Sequence, residues 1–385
     1  MKQARLYFLD NLKTVIIALM IALHWAMCFM AYAPEWWYVV DYEHTHLLFT
    51  CVVLWIDVFI MPIMFFISGY FGIATLGKHG YGKWWKGKLL RIVLPWILGV
   101  IIFAAPVSYI TFYTRNIPLD FWTFCWTLFW NNNGMLEPGV MFSHVQYWYL
   151  GMLTLCYIML TAITKVYPSI LESKLVSVQP SKFFIPGVLL FCLANTAITN
   201  YYIGNDDLWL HFSYFFVYQP CRVLTYPLFF LAGVYAWRNH WFTTGGYVPN
   251  QMIWFSLFVI VSFAYPIWYI MNPFVTSSME VQKGVLWVLH ALLLVSAVFG
   301  FLGFCKENLD FTNGVLSRLA ANSYTMYYVH MAVLFPIVYL MVPLDLIVWL
   351  KAPLVFIVAY VAIYIVGRIF MFLPFFSAGK KVLVK

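Results

Sequence analysis

The sequence predicts an all-α protein that crosses a membrane about ten times, with both termini cytoplasmic. Three observations carry that prediction. The 385 residues are 64% hydrophobic and 9% charged, with a mean hydropathy of +0.84, more apolar surface than a water-soluble globule can hide. The apolar residues fall in runs of about 20, the length of helix that crosses roughly 30 Å of hydrocarbon. The charges between those runs alternate in sign from one connection to the next, as the positive-inside rule requires of a multi-pass chain.

The runs begin near residues 12, 47, 92, 144, 183, 213, 251, 284, 319 and 346. The first is too long for a signal-peptide core and has no small-residue cleavage site, so it reads as a retained span. The connections expected outside carry Glu35, Asp41, Glu43, Asp120, Glu137, Asp206, Asp207 and Glu280, with Arg115, Lys283 and Lys351 as their bases. Those expected inside carry Lys78, Lys83, Lys86, Lys88, Arg91, Lys165, Lys174, Lys182, Arg238, Lys306 and Arg318, and Lys2, Arg5, Lys380, Lys381 and Lys385 lie near the termini. The formal charge of +8 is thus an orientation signal, and nucleic-acid binding is not expected. The outer connection from about 114 to 143 contains "LDFWTFCWTLFWNNNG", apolar enough to lie in the interface or re-enter the bilayer. Seven scattered cysteines without CxxC spacing read as small buried hydrophobes, and no metal site is expected. His44 and His46 of "EHTH" read as solvated loop residues. No internal repeat is visible, and residues 1–385 read as a single membrane-embedded domain.

Polar residues set inside the runs are costly in hydrocarbon and persist where the bundle gives them partners or work. In "FLDNLKTVIIALMIALHW", Lys13 and His24 are eleven residues apart, so they return to within about 20° of one helix face and are separated by roughly 16 Å along the axis. Lys13 falls at the cytoplasmic mouth and His24 near mid-membrane. Asp10 reads as an i, i+3 partner of Lys13. In the second run Asp57 and Ser68 are again eleven apart and cofacial, at depths matching His24 and Lys13. The sixth run, with "YQPCRVLTYP", puts Arg222 near mid-depth. The ninth puts Asn322 and Tyr324 at the cytoplasmic mouth and His330 near the centre, and the eighth puts His290 in the outer third. His24, Asp57, Arg222 and His330 thus share one level, where Asp57 is the acid available to Arg222. Each feature alone has a plainer reading. A single histidine serves as a hydrogen-bonded structural residue, Asp57 as a mere counter-ion, Lys13 as a snorkelling cation, and "SGY" as small-residue helix packing. The same buried charges also suit a secondary transporter, although the paired inverted repeats of that class are not visible.

Five segments in order resemble the membrane acyltransferase-3 family: "FLDNLKTVIIALMIALHW", "DVFIMPIMFFISGYFG", "KLLRIVLP", "YWYLGML" and "NSYTMYYVH". The likeness spans nearly the whole chain, and within the family it is similar to the branch labelled as glucan-biosynthesis acyltransferases of the succinyl-transferring type. It implies an enzyme of the bacterial inner membrane. Such an enzyme moves an acyl group, acetyl or succinyl, from cytoplasmic acyl-CoA to a hydroxyl of an extracytoplasmic glycan, with no permanently bound cofactor. In that frame Lys13, Arg91 and Lys88 hold the CoA phosphates, and Ser68, Tyr70, Asn322 and Tyr324 line the path of the pantetheine arm. His24 acts as general base or as a transient acyl carrier. Asp57 or His330 orients the His24 ring, and Arg222 stabilises the oxyanion or binds a succinyl carboxylate. Two positions depart from the pattern. Lys13 stands where many relatives have arginine, which keeps the charge but loses bidentate recognition, and Gly151 stands where many carry glutamate.

Overall fold

Most of the apolar runs fold as helices. The computed structural model describes residues 5–130, 144–173, 177–203, 208–212, 216–271 and 278–376. The acids expected at 137, 206 and 207, the bases at 2, 174, 380, 381 and 385, and both chain ends lie outside the described residues. The helices are α1 (Tyr7–Met27), α2 (Leu47–Asp57), α3 (Ile60–Lys88), α4 (Leu94–Leu98), α5 (Ala105–Thr114), α6 (Phe121–Trp130), α7 (Trp148–Val166), α8 (Phe184–Ile203), α9 (Thr225–Arg238), α10 (Gln251–Met271), α11 (Met279–Asn308), α12 (Gly314–Met341) and α13 (Val348–Phe370). A small antiparallel hairpin, β1 (Leu210–Phe212) and β2 (Phe216–Tyr218), precedes α9.

Among the described residues eight helical stretches are long and apolar enough to cross a membrane. The difference from ten has two local causes. Leu47–Thr114 is one nearly continuous stretch of 68 residues that takes in the runs expected at 47 and 92. It is broken at Gly80, whose φ of +68° is a left-handed conformation open to glycine at little cost. The run expected at 213 forms only the 14-residue α9, about 21 Å long and short of the hydrocarbon thickness. Pro220, which lacks a backbone donor, opens a 3₁₀ turn, Pro220–Arg222, between hairpin and helix.

Helix ends are fixed by local polar groups. Asn313 Oδ1 caps α12 by accepting from Val315 N at 3.0 Å and Leu316 N at 2.9 Å. Asn11 near the start of α1 donates to Leu309 O and Phe311 O at 2.7 and 2.8 Å, pinning α1 to the connection ahead of α12. Asp10 pairs with Arg5 at 2.7 Å and not with Lys13: the guanidinium, just ahead of the helix, reaches forward onto its first turn.

Helices pack as neighbours α3 with α9, α10 with α11 and α12 with α13, while α1 lies against α2, α11 and α12. The α3–α9 contact is backbone to backbone. A Cβ on Gly69 would lie 1.9 Å from Phe230 O, and one on Gly233 would lie 2.0 Å from Phe66 O. This is the small-residue packing read from "SGY". In the connection after α5, Asp120 Oδ1 accepts from Trp122 N and Thr123 N, both at 3.0 Å, and opens the ten-residue α6. Its Phe124 is buried against Tyr109 and Phe112 while Trp122 and Trp126 are exposed.

The connection from α1 to α2 is held down from two sides. Arg115 donates to Glu35 O at 2.8 Å and Trp37 O at 2.9 Å. Lys351, fully buried on α13, pairs with Asp41 at 2.7 Å and donates to Val342 O at 2.7 Å. His44 Nδ1 lies 2.9 Å from Asp41 Oδ1, and His46 caps α2 by accepting from Leu48 N at 3.1 Å. Asp41 and Lys351 are therefore a buried ion pair, and in "EHTH" Glu43 and His46 are exposed as expected while His44 is partly covered, its ring bonded to Asp41. The chain folds back over α1 here, which no linear spacing encodes.

Candidate active site

Two breaks in the helices bring the charges of the second and sixth runs together. Helix α2 ends at Asp57 and α3 restarts at Ile60, with Pro62 in its first turn, so the carboxylate sits at the negative end of a helix dipole, an unfavourable place for an acid. Arg222, on the 3₁₀ turn ahead of α9, offsets this. Its Nη1 donates to Asp57 Oδ1 at 3.0 Å and its Nη2 bonds Oδ2, a bidentate pair. The partnership read from depth holds, but on interrupted backbone, which is tolerated at membrane depth where it lines a cavity.

That cavity measures about 490 Å³ and is lined by His24, Asp57, Arg222, His290, Gln146, Tyr149 and Tyr327, with Trp36, Trp37 and Tyr38 from the α1–α2 connection. Five methionines, Met20, Met27, Met30, Met61 and Met331, give it a soft apolar lining.

His24 lines this cavity, and the fully buried His330 meets its ring from behind. His24 Nδ1 lies 2.8 Å from Met20 O, and His330 Nδ1 lies 2.6 Å from Tyr327 O. A carbonyl only accepts, so each Nδ1 carries the proton. His330 Nε2, the acceptor that remains on that ring, faces His24 Nδ1 at 3.3 Å. The His24 Nε2 lone pair is left over. Trp37 stacks on the His24 ring, centroids 5.8 Å apart at 12°. Asp57 lines the same cavity, yet its oxygens are engaged by Arg222, and of the two expected partners the one bonded to the His24 ring is His330.

Other expected residues divide. Ser68 Oγ is 3.0 Å from Tyr149 OH, and Tyr149 packs on Tyr327 with centroids 5.7 Å apart. Tyr327 stacks on Tyr324 at 6.2 Å and 12°, and Tyr324 OH donates to Arg91 O at 2.5 Å. These tyrosines form a ladder from the cavity to the basic end of the bundle. There Lys88 lies 4.1 Å over the Tyr157 ring, and Arg91 is exposed. Lys13 is half-buried on α1, and no described residue accepts a hydrogen bond from it. Tyr70 and Asn322 do not line the cavity. Tyr70 is buried with its hydroxyl 3.5 Å from Trp241 O, because its place beside Gly69 turns it into the helix contact. Asn322 is buried against α13, donating to Tyr364 O at 2.9 Å and accepting from Thr325 at 2.6 Å.

Gln146, Trp37 and Tyr327 escaped the sequence reading as site residues. Trp37 in "EWWYVVDY" carries the signature of an interfacial belt and gave no sign of folding inward. Tyr149 and Tyr327 fall inside the quoted segments "YWYLGML" and "NSYTMYYVH", where a signal was present.

A buried histidine pair beside an apolar cavity, with tyrosines leading to a basic end, is an arrangement that fits a membrane-embedded group-transfer protein. The family described as "Acyltransferase domain" matches residues 6–369. The chain belongs to this family, and the expectation of an acyltransferase enzyme stands on that match. Among curated proteins it is similar to "Glucans biosynthesis protein C" of Salmonella schwarzengrund (strain CVM19633), 25% identical over 125 residues. It is also similar to the proteins of that name from Salmonella paratyphi B (strain ATCC BAA-1250 / SPB7) and Salmonella heidelberg (strain SL476), each 24% identical over 125 residues. The matched stretch covers 30% of this chain and 30% of each relative. No solved structure matches the chain.

Proposed function

We propose that the protein is an O-acyltransferase of the bacterial inner membrane. It moves an acetyl or succinyl group from cytoplasmic acyl-CoA to a hydroxyl of an extracytoplasmic acceptor, a periplasmic or cell-surface glycan. The observation that carries the reading is the His24–His330 pair, with its one uncommitted Nε2 at the cavity. The acceptor hydroxyl attacks the thioester carbonyl while His24 Nε2 takes its proton. The new C–O bond forms, the C–S bond breaks, and the proton passes to the departing CoA sulfur. His330 Nε2 accepts from His24 Nδ1–H and favours the imidazolium while it exists, the part a third group plays in a nucleophile relay. The ladder of Ser68, Tyr149, Tyr327 and Tyr324 would receive the pantetheine arm, and Lys13, Lys88 and Arg91 the anionic end of CoA.

The similarity to relatives named for glucan biosynthesis supports a glycan acceptor. The test is acyl transfer from radiolabelled acetyl- and succinyl-CoA by purified protein. His24→Ala is expected to lower it about 10²- to 10⁴-fold, the usual weight of general-base help, with an unchanged elution profile. Substantial activity in that variant sinks the mechanism, and a labelled acyl-enzyme that forms in the wild type and is absent in His24→Ala would replace the base by a carrier.

A further inference from the structure

We propose that Ser108 and Gln146 form a polar subsite in the cavity that receives a neutral, hydroxyl-bearing group of the acyl acceptor. The inference rests on the acyl-transfer reading above and adds where the acceptor is held. Both residues line the cavity, and both are buried, Ser108 at 0% and Gln146 at 4% exposure. Both have a polar atom without a hydrogen-bond partner among the described residues, Ser108 Oγ and Gln146 Oε1. Such orphans are rare and call for a reason.

The two orphans are not alike in chemistry. Gln146 Nε2 donates to Tyr328 O at 3.0 Å, which fixes the amide orientation and leaves an oxygen that can only accept. Its own carbonyl takes the Tyr327 hydroxyl at 2.6 Å, so the amide is tied to the turn of α12 that holds His330. Val145, the residue before it, has φ +49°, a costly conformation for a β-branched residue and one that clusters at ligand sites. Helical hydroxyls elsewhere in the bundle bond back one turn, Thr154 to Leu150 O at 2.8 Å and Ser262 to Phe258 O at 2.6 Å. Ser108, which follows the π-helical stretch Gly99–Ala104, does not.

A hydroxyl-bearing ligand satisfies both atoms, donating to Gln146 Oε1 and accepting from Ser108 Oγ. A secondary amide of the pantetheine arm has the same complementarity. Position favours the acceptor. Ser108 lies on the stretch of α5 that ends in Thr114, which donates to Tyr38 O at 3.3 Å, and Arg115, which holds Glu35 and Trp37. That is the end of the bundle opposite Lys88 and Arg91.

The test is steady-state kinetics of the purified full chain with radiolabelled acyl-CoA and a linear gluco-oligosaccharide as acceptor. Gln146→Met is expected to raise the KM for the oligosaccharide about tenfold or more, and Ser108→Ala about threefold, as loss of a hydrogen bond to a ligand does. The KM for acyl-CoA is expected to stay within about twofold in both. If Gln146→Met does not fold, Ser108→Ala, which deletes one oxygen, decides. An unchanged oligosaccharide KM overturns the subsite. A raised acyl-CoA KM overturns it too, assigning the pair to the donor's amide. Wild-type protein that consumes acyl-CoA without acylating the oligosaccharide also overturns it. Wild-type protein that consumes no acyl-CoA fails the acyl-transfer reading itself and takes the subsite with it.

Discussion

At the scale of single residues, the site is a set of committed hydrogen-bonding atoms with few left over. Arg222 and Asp57 satisfy each other, so removing either alone strands a charge at the cavity. Asp57→Ala is expected to cost about 2 kcal/mol, below the range for fully buried pairs because the carboxylate is part-exposed. The double variant Asp57→Ala/Arg222→Met is expected to recover about half, read as thermal unfolding in detergent. Lys13→Ala is expected to weaken acyl-CoA binding about tenfold and Lys13→Arg to be tolerated. Equal affinity in both, measured by calorimetry, would remove the cation from the donor site. That Asp57 would meet Arg222, and that His24 would meet either His330 or Asp57, was legible in the sequence because helical rise converts spacing into position along the axis. Which atoms touch was not. Nothing in one dimension says that His330 rather than Asp57 meets His24, since rotation about a helix axis is set by packing against its neighbours.

At the scale of elements, the α1–α2 connection and the α3–α9 pair matter most. Arg115→Ala removes the donors that hold Glu35 and Trp37, and so loosens the indole stacked on His24. It is expected to raise acyl-CoA hydrolysis without acceptor by several-fold while slowing transfer, since an opened cavity admits water. A fall in both would show that the clamp serves folding alone. Gly233→Ala places a methyl against the Phe66 carbonyl and is expected to destabilise by about 2 kcal/mol or more, measured as loss of the folded peak in size exclusion on warming. The small-residue reading of "SGY" was available from the letters, and with it the alternative that displaced Tyr70 from the cavity. The break before α9 was legible only in part. Pro220 announces an interruption, but a hairpin in place of a half-span depends on contacts with α7 that no local propensity carries.

At the scale of the whole molecule, the charge alternation predicts an orientation. A cysteine placed at Lys83 in a cysteine-free background is expected to react with an impermeant maleimide only from the cytoplasmic side, and one at Glu43 only from outside. Labelling of both from one side would overturn the topology. The membrane class and most of the spans were visible in composition and run length, because hydrocarbon thickness sets a length that sequence must meet. The buried Lys351–Asp41 pair was invisible to the same rule, which counts charges without asking what covers them. The α3–α9 contact carries a mechanical implication. Its two helices are locked backbone to backbone at Gly69 and Gly233, and stapled again where Asp57, in the last turn of α2 just ahead of α3, grips Arg222 ahead of α9. A pair fixed at two separated points moves as one rigid body. Any motion that admits a bulky acceptor must therefore swing the other helices and their connections around it, leaving α3 and α9 as the fixed frame of the cycle.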